Sequence, residues 1–273
     1  MFLYLSAKII VLLLISPAKT LDFETPALWK DHSESRLLEK SEALMDELKL
    51  LKSVDLQNLM GVSEKIADLN LERNKNWKLP IDSKDGRVAL QAFKGDVYEG
   101  LDAQSLNPAQ VKWLQKHLRI LSGLYGVLRP MDLMLPYRLE MGTKFENKEG
   151  PNLYKFWKDL PSELLLEDLS SSKNKEPWIV NLASNEYFKV INKKLLLEKS
   201  GGRLVTPQFK DWKNGQYKMI SFYAKRARGM MVRHLAENKA SSMEDILSFS
   251  MDGYEYNHEL SKDNEPVFTR NNS

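Results

Sequence analysis

The segment Ile10-Val11-Leu12-Leu13-Leu14-Ile15 constrains the fold more than any other part of the chain. Its apolar residues run on without alternation and are rich in β-branched side chains, which suits a strand covered on both faces rather than one with a wet side. Such a strand belongs inside a sheet that has helices packed against it. With Lys8 ahead and Ser16-Pro17-Ala18 behind, the segment also has the outline of a short signal-peptide core. The seven apolar residues from Ile9 to Ile15 are too few to span a bilayer. The strand reading, feeding a Ser16-Pro17-Ala18-Lys19-Thr20 loop, is preferred.

At 273 residues and 42% hydrophobic content the chain can bury a large core, and one domain spanning 1–273 is expected. Helical periodicity from Ser33 to Leu51 leads into a pair of short helices, so residues 33–76 form a helical lobe inserted in a larger body. Val88–Phe93 reads as a second strand, with Lys94-Gly95-Asp96-Val97-Tyr98 as the polar turn and edge after it. Asn107 and Pro108 have the chemistry of an N-cap and first helical residue. The helix they open is expected to run through Trp113, Leu114, Leu118 and Leu121 to a stop at Gly123. Trp178–Leu182 reads as a third buried strand, after which Ser184 or Asn185 caps a helix. Tyr217–Tyr223 alternates as a fourth strand and is followed by a basic helix, Ala224 to Asn238. Ser170-Ser171-Ser172-Lys173-Asn174-Lys175 is a surface loop. Strands and helices interleave without a regular βαβ rhythm, so the expected class is α+β (mixed α/β), with a central mixed sheet flanked by helices and a small helical lobe.

The absence of cysteine excludes disulfides, thiolate catalysis, iron–sulfur clusters and zinc fingers, and fits a reducing cytoplasm. No metal or cofactor is expected. His32, His117, His234 and His258 lack ligand spacing, and an oxygen site from Asp22, Asp96, Glu140 and Glu186 is the weaker alternative. No nucleophile elbow, P-loop or dinucleotide fingerprint is present, so no catalytic residue is assigned. Trp29, Trp77, Trp157 and Trp212 stand apart, and core packing explains most of them better than base stacking.

The overall charge of +3 is small, but its distribution is not even. Residues 203–239 carry nine basic side chains against Asp211 and Glu237, a local +7 that leaves −4 for the remainder. Lys225, Arg226, Arg228 and Arg233 cluster on the predicted basic helix, where Gly229 would let a phosphate chain approach closely. They suit a nucleic-acid backbone, and the plainer alternative is a solvated helix paired with acidic groups. The irregular path 124–144 presents Arg129, Asp132, Arg138, Glu140 and Lys144 among apolar residues, either as buried ion pairs or as a pocket lining.

Residues 53–70 read as a helix-hairpin-helix. Leu56 and Leu59 pack against Ile66 and Leu69, Gly61 permits the reversal, and Ser63 caps the second helix. Free N–H groups beside Lys65 would suit a phosphate oxygen, and an αα-corner that only packs is the alternative.

Taken together, these segments resemble the YaaA family of bacterial peroxide-stress proteins. The resemblance is carried by Leu14-Ile15-Ser16-Pro17-Ala18-Lys19-Thr20-Leu21-Asp22-Phe23, Ala92-Phe93-Lys94-Gly95-Asp96-Val97-Tyr98 and Leu121-Ser122-Gly123-Leu124-Tyr125-Gly126-Val127-Leu128-Arg129-Pro130. It continues through Pro136-Tyr137-Arg138-Leu139-Glu140-Met141-Gly142, Asn181-Leu182-Ala183-Ser184-Asn185-Glu186-Tyr187-Phe188 and Ile220-Ser221-Phe222-Tyr223-Ala224-Lys225-Arg226-Ala227-Arg228-Gly229. The family begins just before the first strand, so Met1–Ile9 is either an extension or a start-site error. Ser63 stands where many helix-hairpin-helix motifs have a second glycine.

The resemblance implies a cytoplasmic protein of the peroxide response that limits free intracellular iron and protects DNA. It also implies binding of duplex or branched DNA through a helix-hairpin-helix and a basic cleft. By position, the hairpin contribution falls on Gly61, Val62, Ser63 and Lys65. The cleft contribution falls on Lys19, Lys94, Arg129, Arg138, Lys144, Lys225, Arg226 and Arg228, with Arg233 further along the basic helix. A non-enzymatic protein that binds DNA without reading its sequence is therefore expected, with no membrane and no obligate protein partner. The competing expectation is an enzyme acting on a nucleotide or other phosphate-bearing substrate, clamped by Lys19, Arg129 and Arg138, with Asp96 or Glu140 as acid or base.

Overall fold

The computed structural model describes residues 11–170 and 176–271; Met1–Ile10 and most of the serine-rich 170–175 segment lie outside the described residues. Strand β1 (Val11–Ile15) is followed by β2 (Thr20–Leu21) and by helices α1 (Leu38–Lys49), α2 (Ser53–Met60) and α3 (Glu64–Asn76). Short elements succeed one another next: β3 (Arg87–Val88), α4 (Ala89–Ala92), β4 (Phe93–Lys94) and α5 (Asp96–Leu101). Helix α6 (Pro108–His117) runs straight into β5 (Leu118–Ser122), and β6 (Gly126–Leu128) and β7 (Leu133–Met134) lie on the irregular path. Then come α7 (Leu153–Trp157), α8 (Leu160–Ser170), β8 (Trp178–Asn181), α9 (Asn185–Phe188), α10 (Lys193–Ser200) and β9 (Arg203–Val205). The remainder comprises β10 (Gln208–Lys213), β11 (Gln216–Lys218), α11 (Ser221–Glu237), α12 (Met243–Leu247), β12 (Glu255–Tyr256) and β13 (Val267–Arg270).

The central sheet has the order β6-β5-β1-β8-β9. Strand β1 is parallel to both neighbours, with Leu13 opposite Leu118 on one side and Val180 on the other, and β6 is antiparallel at the edge. Every residue of β1 is buried, as its unbroken apolar run requires. A second sheet, β11-β10-β13-β12, closes the far end around Phe209, Phe249, Tyr254 and Phe268. The architecture is mixed α/β with a central mixed sheet. Deep in the core, the Tyr125 hydroxyl accepts hydrogen bonds from Trp77 Nε1 and from the Leu135 N–H, each at 2.9 Å. Trp77 and Trp157 are core residues, whereas Trp212 is 44% exposed.

Several elements differ from the sequence expectation. The helix opened by Asn107 and Pro108 has the anticipated cap, reinforced by Gln110, but it ends at His117 rather than Gly123. Leu118 to Ser122 instead pair with β1, because a continuous buried run satisfies a central strand as well as it satisfies a helix face. The stretch 88–93 is not a strand, since Ala89-Leu90-Gln91-Ala92 forms one helical turn. That turn lets the Gln91 side chain accept from the Leu28 N–H and donate to the Pro26 carbonyl. Of the expected polar turn and edge at 94–98, Lys94 ends β4 and Asp96-Val97-Tyr98 open α5, with Val97 and Tyr98 buried. The strand expected over 217–223 stops at Lys218. An Asn214-Gly215 turn with positive φ at both residues pairs it with β10, and α11 begins at Ser221.

Between α2 and α3, Gly61 takes the left-handed conformation (φ 61°) that ends α2, and Leu56 and Ala67 pack the two short helices into the core. The Ser53 hydroxyl donates across to the Asp68 carboxylate. Leu69, expected at this contact, is 50% exposed, its place being taken by Ala67 and Asn70 one face around. Ser63 occupies the N-cap position, yet its side chain makes no capping bond.

A buried ion cluster ties the sheet to α8. Arg119, with only 4% of its side chain exposed, donates to Asp168 at 2.6 Å, and Arg36 donates to both Asp168 oxygens at 3.0 Å. Burial alone would raise the Asp168 carboxyl, but the hydrogen bonds and charges of Arg119 and Arg36 outweigh it and hold the group below its ordinary 3.8. A carboxyl depressed in the folded state stabilises above its unfolded value and loses that contribution as pH falls through the folded one. Asp168→Asn is therefore expected to cost about 3 kcal/mol at neutral pH, because Arg119 is left buried without its counter-charge. In urea titrations, the gap between wild type and variant should shrink below about pH 4; a gap independent of pH would contradict this reading.

Candidate functional site

The two parallel strands β1 and β8 end side by side, and the loops leaving their carboxyl ends form one wall of a cavity of about 490 Å³. In open α/β sheets this end is where ligand crevices arise. Ser16 to Thr20 leave β1, and Leu182 to Tyr187 leave β8. The wall is sewn together by Ser16 Oγ, which accepts from the Ser184 N–H at 2.9 Å and donates to Ser184 Oγ at 3.3 Å. Ser184 thus spends its side chain on Ser16 and not on capping α9. The Tyr98 hydroxyl donates to the Ser16 carbonyl at 3.1 Å and anchors α5 to the same loop.

The opposite wall is α11, held on α5 at unusually short range. A β-carbon on Gly229 would lie 1.7 Å from the Val97 carbonyl oxygen, and one on Gly100 would lie 2.1 Å from that of Arg226. Gly229 therefore serves close helix packing and gives no phosphate access, which corrects the role expected of it. The crossing positions Lys225 and Arg228 at the cavity, alongside Asp96 and Val97 from the start of α5.

Of the candidate cations, Lys19, Lys94, Arg138, Lys225 and Arg228 line this one cavity, together with Asp96, Glu140 and Glu186. The lysines stand at the rim, 64%, 62% and 53% exposed for Lys19, Lys94 and Lys225. Lys19 pairs with Glu140 at 2.8 Å, and Arg138 reaches the other oxygen of the same carboxylate at 3.1 Å. Lys94 lies 3.8 Å from Asp22, and Lys225 lies 3.8 Å from Asp96. Arg228 is half-buried and has no hydrogen-bond or ion-pair partner among the described residues. Burial pushes its guanidinium below the ordinary value, though an arginine stays protonated.

The other candidates lie elsewhere. Arg129 donates to Asp132 and to the Glu34 carbonyl, so it is a structural pair away from the cavity. Arg233 is drawn to the Leu101–Ser105 turn, donating to Ser105 Oγ at 2.6 Å and pairing with Glu237 at 2.8 Å; the open cation expected there is a brace for the α11–α5 contact. Lys144 and Arg226 are exposed and outside the lining, as are Gly61, Ser63 and Lys65 at the hairpin corner, with Val62 half-buried. Burial first, and then the like charge of Arg138, push the guanidinium of Arg73 on α3 below its ordinary value.

Sequence reasoning did not single out the tyrosines of the site. Tyr98, Tyr137 and Tyr187 line the cavity, and burial above all raises each phenol far above its ordinary value, so all three remain neutral. Their signal was available in the segments Gly95-Asp96-Val97-Tyr98, Pro136-Tyr137-Arg138 and Asn185-Glu186-Tyr187, each of which pairs a tyrosine with a charged residue. Among the described residues no three acidic or histidine side chains gather as a metal-binding group, and no helix is long and apolar enough to cross a membrane.

Comparison with known proteins places this geometry in a family. The profile described as "Peroxide stress protein YaaA" matches residues 11–260. A UPF0246 protein of Shewanella denitrificans is 50% identical over 262 residues, covering 95% of this chain and 98% of that protein. UPF0246 proteins of Colwellia psychrerythraea and Hahella chejuensis are each 48% identical, covering 96% and 95% of this chain and 100% and 99% of theirs. The segments that build the cavity walls all fall within the matched span, and the chain belongs to the peroxide stress protein YaaA family.

Proposed function

We propose that the chain is a cytoplasmic DNA-binding protein of the peroxide response, holding duplex or branched DNA by its phosphates without reading sequence. The observation that carries this is Arg228. A half-buried guanidinium with no protein partner, set inside a rim of exposed lysines, is a cation site short of an anion. Five cations against three carboxylates leave the cavity lining net positive, and exposed lysines can exchange weak ion pairs for phosphate with counterion release. The hairpin corner, with exposed Lys65, supplies a second phosphate contact on the lobe. Limitation of free iron, which the family resemblance implies, would protect DNA at the place where this protein sits.

A second reading is favoured by the cavity's size, which is that of a small-molecule site, and by Lys19, Arg138, Asp96 and Glu140 meeting in it. It is an enzyme acting on a phosphate-bearing substrate. The phosphate clamp would be Arg228 with Arg138, since Arg129 lies elsewhere.

Fluorescence-anisotropy titrations with labelled duplex and four-way-junction DNA at low salt test the first reading. Saturable binding to both, insensitive to base sequence, is the expected result. Absence of binding at low salt would contradict it.

A further inference from the structure

The cavity's rim and interior have different chemistry. At the rim, Lys19, Lys94 and Lys225 are exposed and suited to phosphate. Further in, the lining comprises the buried phenols of Tyr98, Tyr137 and Tyr187, the apolar Pro17, Val97 and Leu139, and the partly buried Asp96, Arg138 and Glu140, with Glu186 exposed at the mouth. Arg138 is already engaged by Glu140 at 3.1 Å, which leaves Arg228, among the described residues, as the one inner cation open to a phosphate, and the neighbouring carboxylates repel a longer sugar–phosphate chain. Their acceptor sites are also partly open. Glu140 is engaged by Lys19 and Arg138, but Glu186 has only Oε1 engaged, by the Gly142 N–H at 2.8 Å. Asp96 accepts no hydrogen bond among the described residues and stands 3.8 Å from Lys225. Aromatic and apolar walls with free acidic acceptors suit a flat, neutral, donor-bearing group joined to a phosphate.

We propose that the cavity takes one nucleotide unit, with its phosphate on Arg228 and the lysine rim and its base inside, an exocyclic amino group of the base donating to Glu186 or Asp96. This rests on the phosphate-binding reading above and adds to it a preference among bases. Cytosine and adenine carry such an amino group, whereas thymine presents a carbonyl oxygen at the matching position and faces the carboxylate as a second acceptor. The unit comes either from free nucleotide or from a strand that turns one base outward, at the energetic cost of unstacking.

Isothermal titration calorimetry with dCMP, dAMP and TMP tests the interior, and a paired duplex carrying one internal 2-aminopurine tests the source. The expected result is that dCMP and dAMP bind at least about tenfold more tightly than TMP. Glu186→Gln should narrow that gap, because its amide keeps the bond from Gly142 yet can donate to thymine. Arg228→Ala should weaken all three nucleotides. A change in 2-aminopurine emission on binding, reversed by excess dCMP, assigns the unit to the strand; nucleotide binding without such a change assigns it to free nucleotide. Equal affinity for the three nucleotides overturns the base preference. Duplex binding with neither nucleotide binding nor an emission change overturns the cavity's role and leaves the DNA reading standing. Loss of duplex and nucleotide binding alike removes both.

Discussion

Gly229→Ala is expected to destabilise the fold by about 4 kcal/mol, although the same change inside an ordinary helix stabilises by roughly 1 kcal/mol. The sign reverses because the added β-carbon would lie 1.7 Å from the Val97 carbonyl oxygen and also crowd the Leu101 backbone nitrogen. Both are backbone atoms of α5, and no rotamer change moves them aside. The helices must separate, unpacking Met230 and Met231 and losing more than the ~1–3 kcal/mol typical of overpacking. Gly100→Ala should act the same way from the other side, against the Arg226 carbonyl at 2.1 Å. Urea denaturation followed by tryptophan fluorescence checks both. A variant as stable as wild type would mean that α11 and α5 do not cross at this distance, and the placement of Lys225 and Arg228 would fall with it.

The triple change Lys94→Ala, Lys225→Ala and Arg228→Ala is expected to weaken duplex binding by at least about a hundredfold at moderate salt, from three charge-assisted contacts each worth about 1 kcal/mol or more. Its contribution should be uneven. Lys94 and Lys225 each give up a long ion pair, at 3.8 Å, when they turn to a phosphate, whereas Arg228 gives up none. Arg228→Ala alone should therefore account for the largest share. The contrasting pair is Arg129→Ala and Arg233→Ala. Both side chains bind their own chain, so these changes should lower stability with little effect on affinity. Anisotropy titrations of all four proteins give the comparison. A loss of affinity from Arg129→Ala as large as that from Arg228→Ala would contradict the assignment.

These expectations draw on different depths of the sequence. The β1 strand was legible because an apolar run without alternation has few other uses, and the Asn107 cap because its chemistry is local. The stretch 118–122 was not, because Leu118 and Leu121 continue the helical spacing of Leu114 while the partner that makes 118–122 a strand is β1, over a hundred residues earlier. Local preference lost to long-range pairing. At 217–223 the alternation extends past the strand itself: the Asn214-Gly215 turn sets β11 against β10 and ends it at Lys218, leaving Ser221 free to open a helix. Arg129 and Arg233 looked like Lys94 and Lys225 in sequence, since charge is visible there and the partner is not. Only the fold separates a cation held by Asp132 or Ser105 from one standing at a cavity rim.

Phosphate binding at the cavity rim is read out by the salt dependence of duplex affinity. For duplex DNA, the logarithm of affinity falls with the logarithm of salt concentration by about 0.9 for each phosphate neutralised. The predicted result is a steep slope for the wild-type protein that becomes shallower by about 3 in the Lys94, Lys225, Arg228 triple variant. A slope identical in the two proteins would contradict the claim.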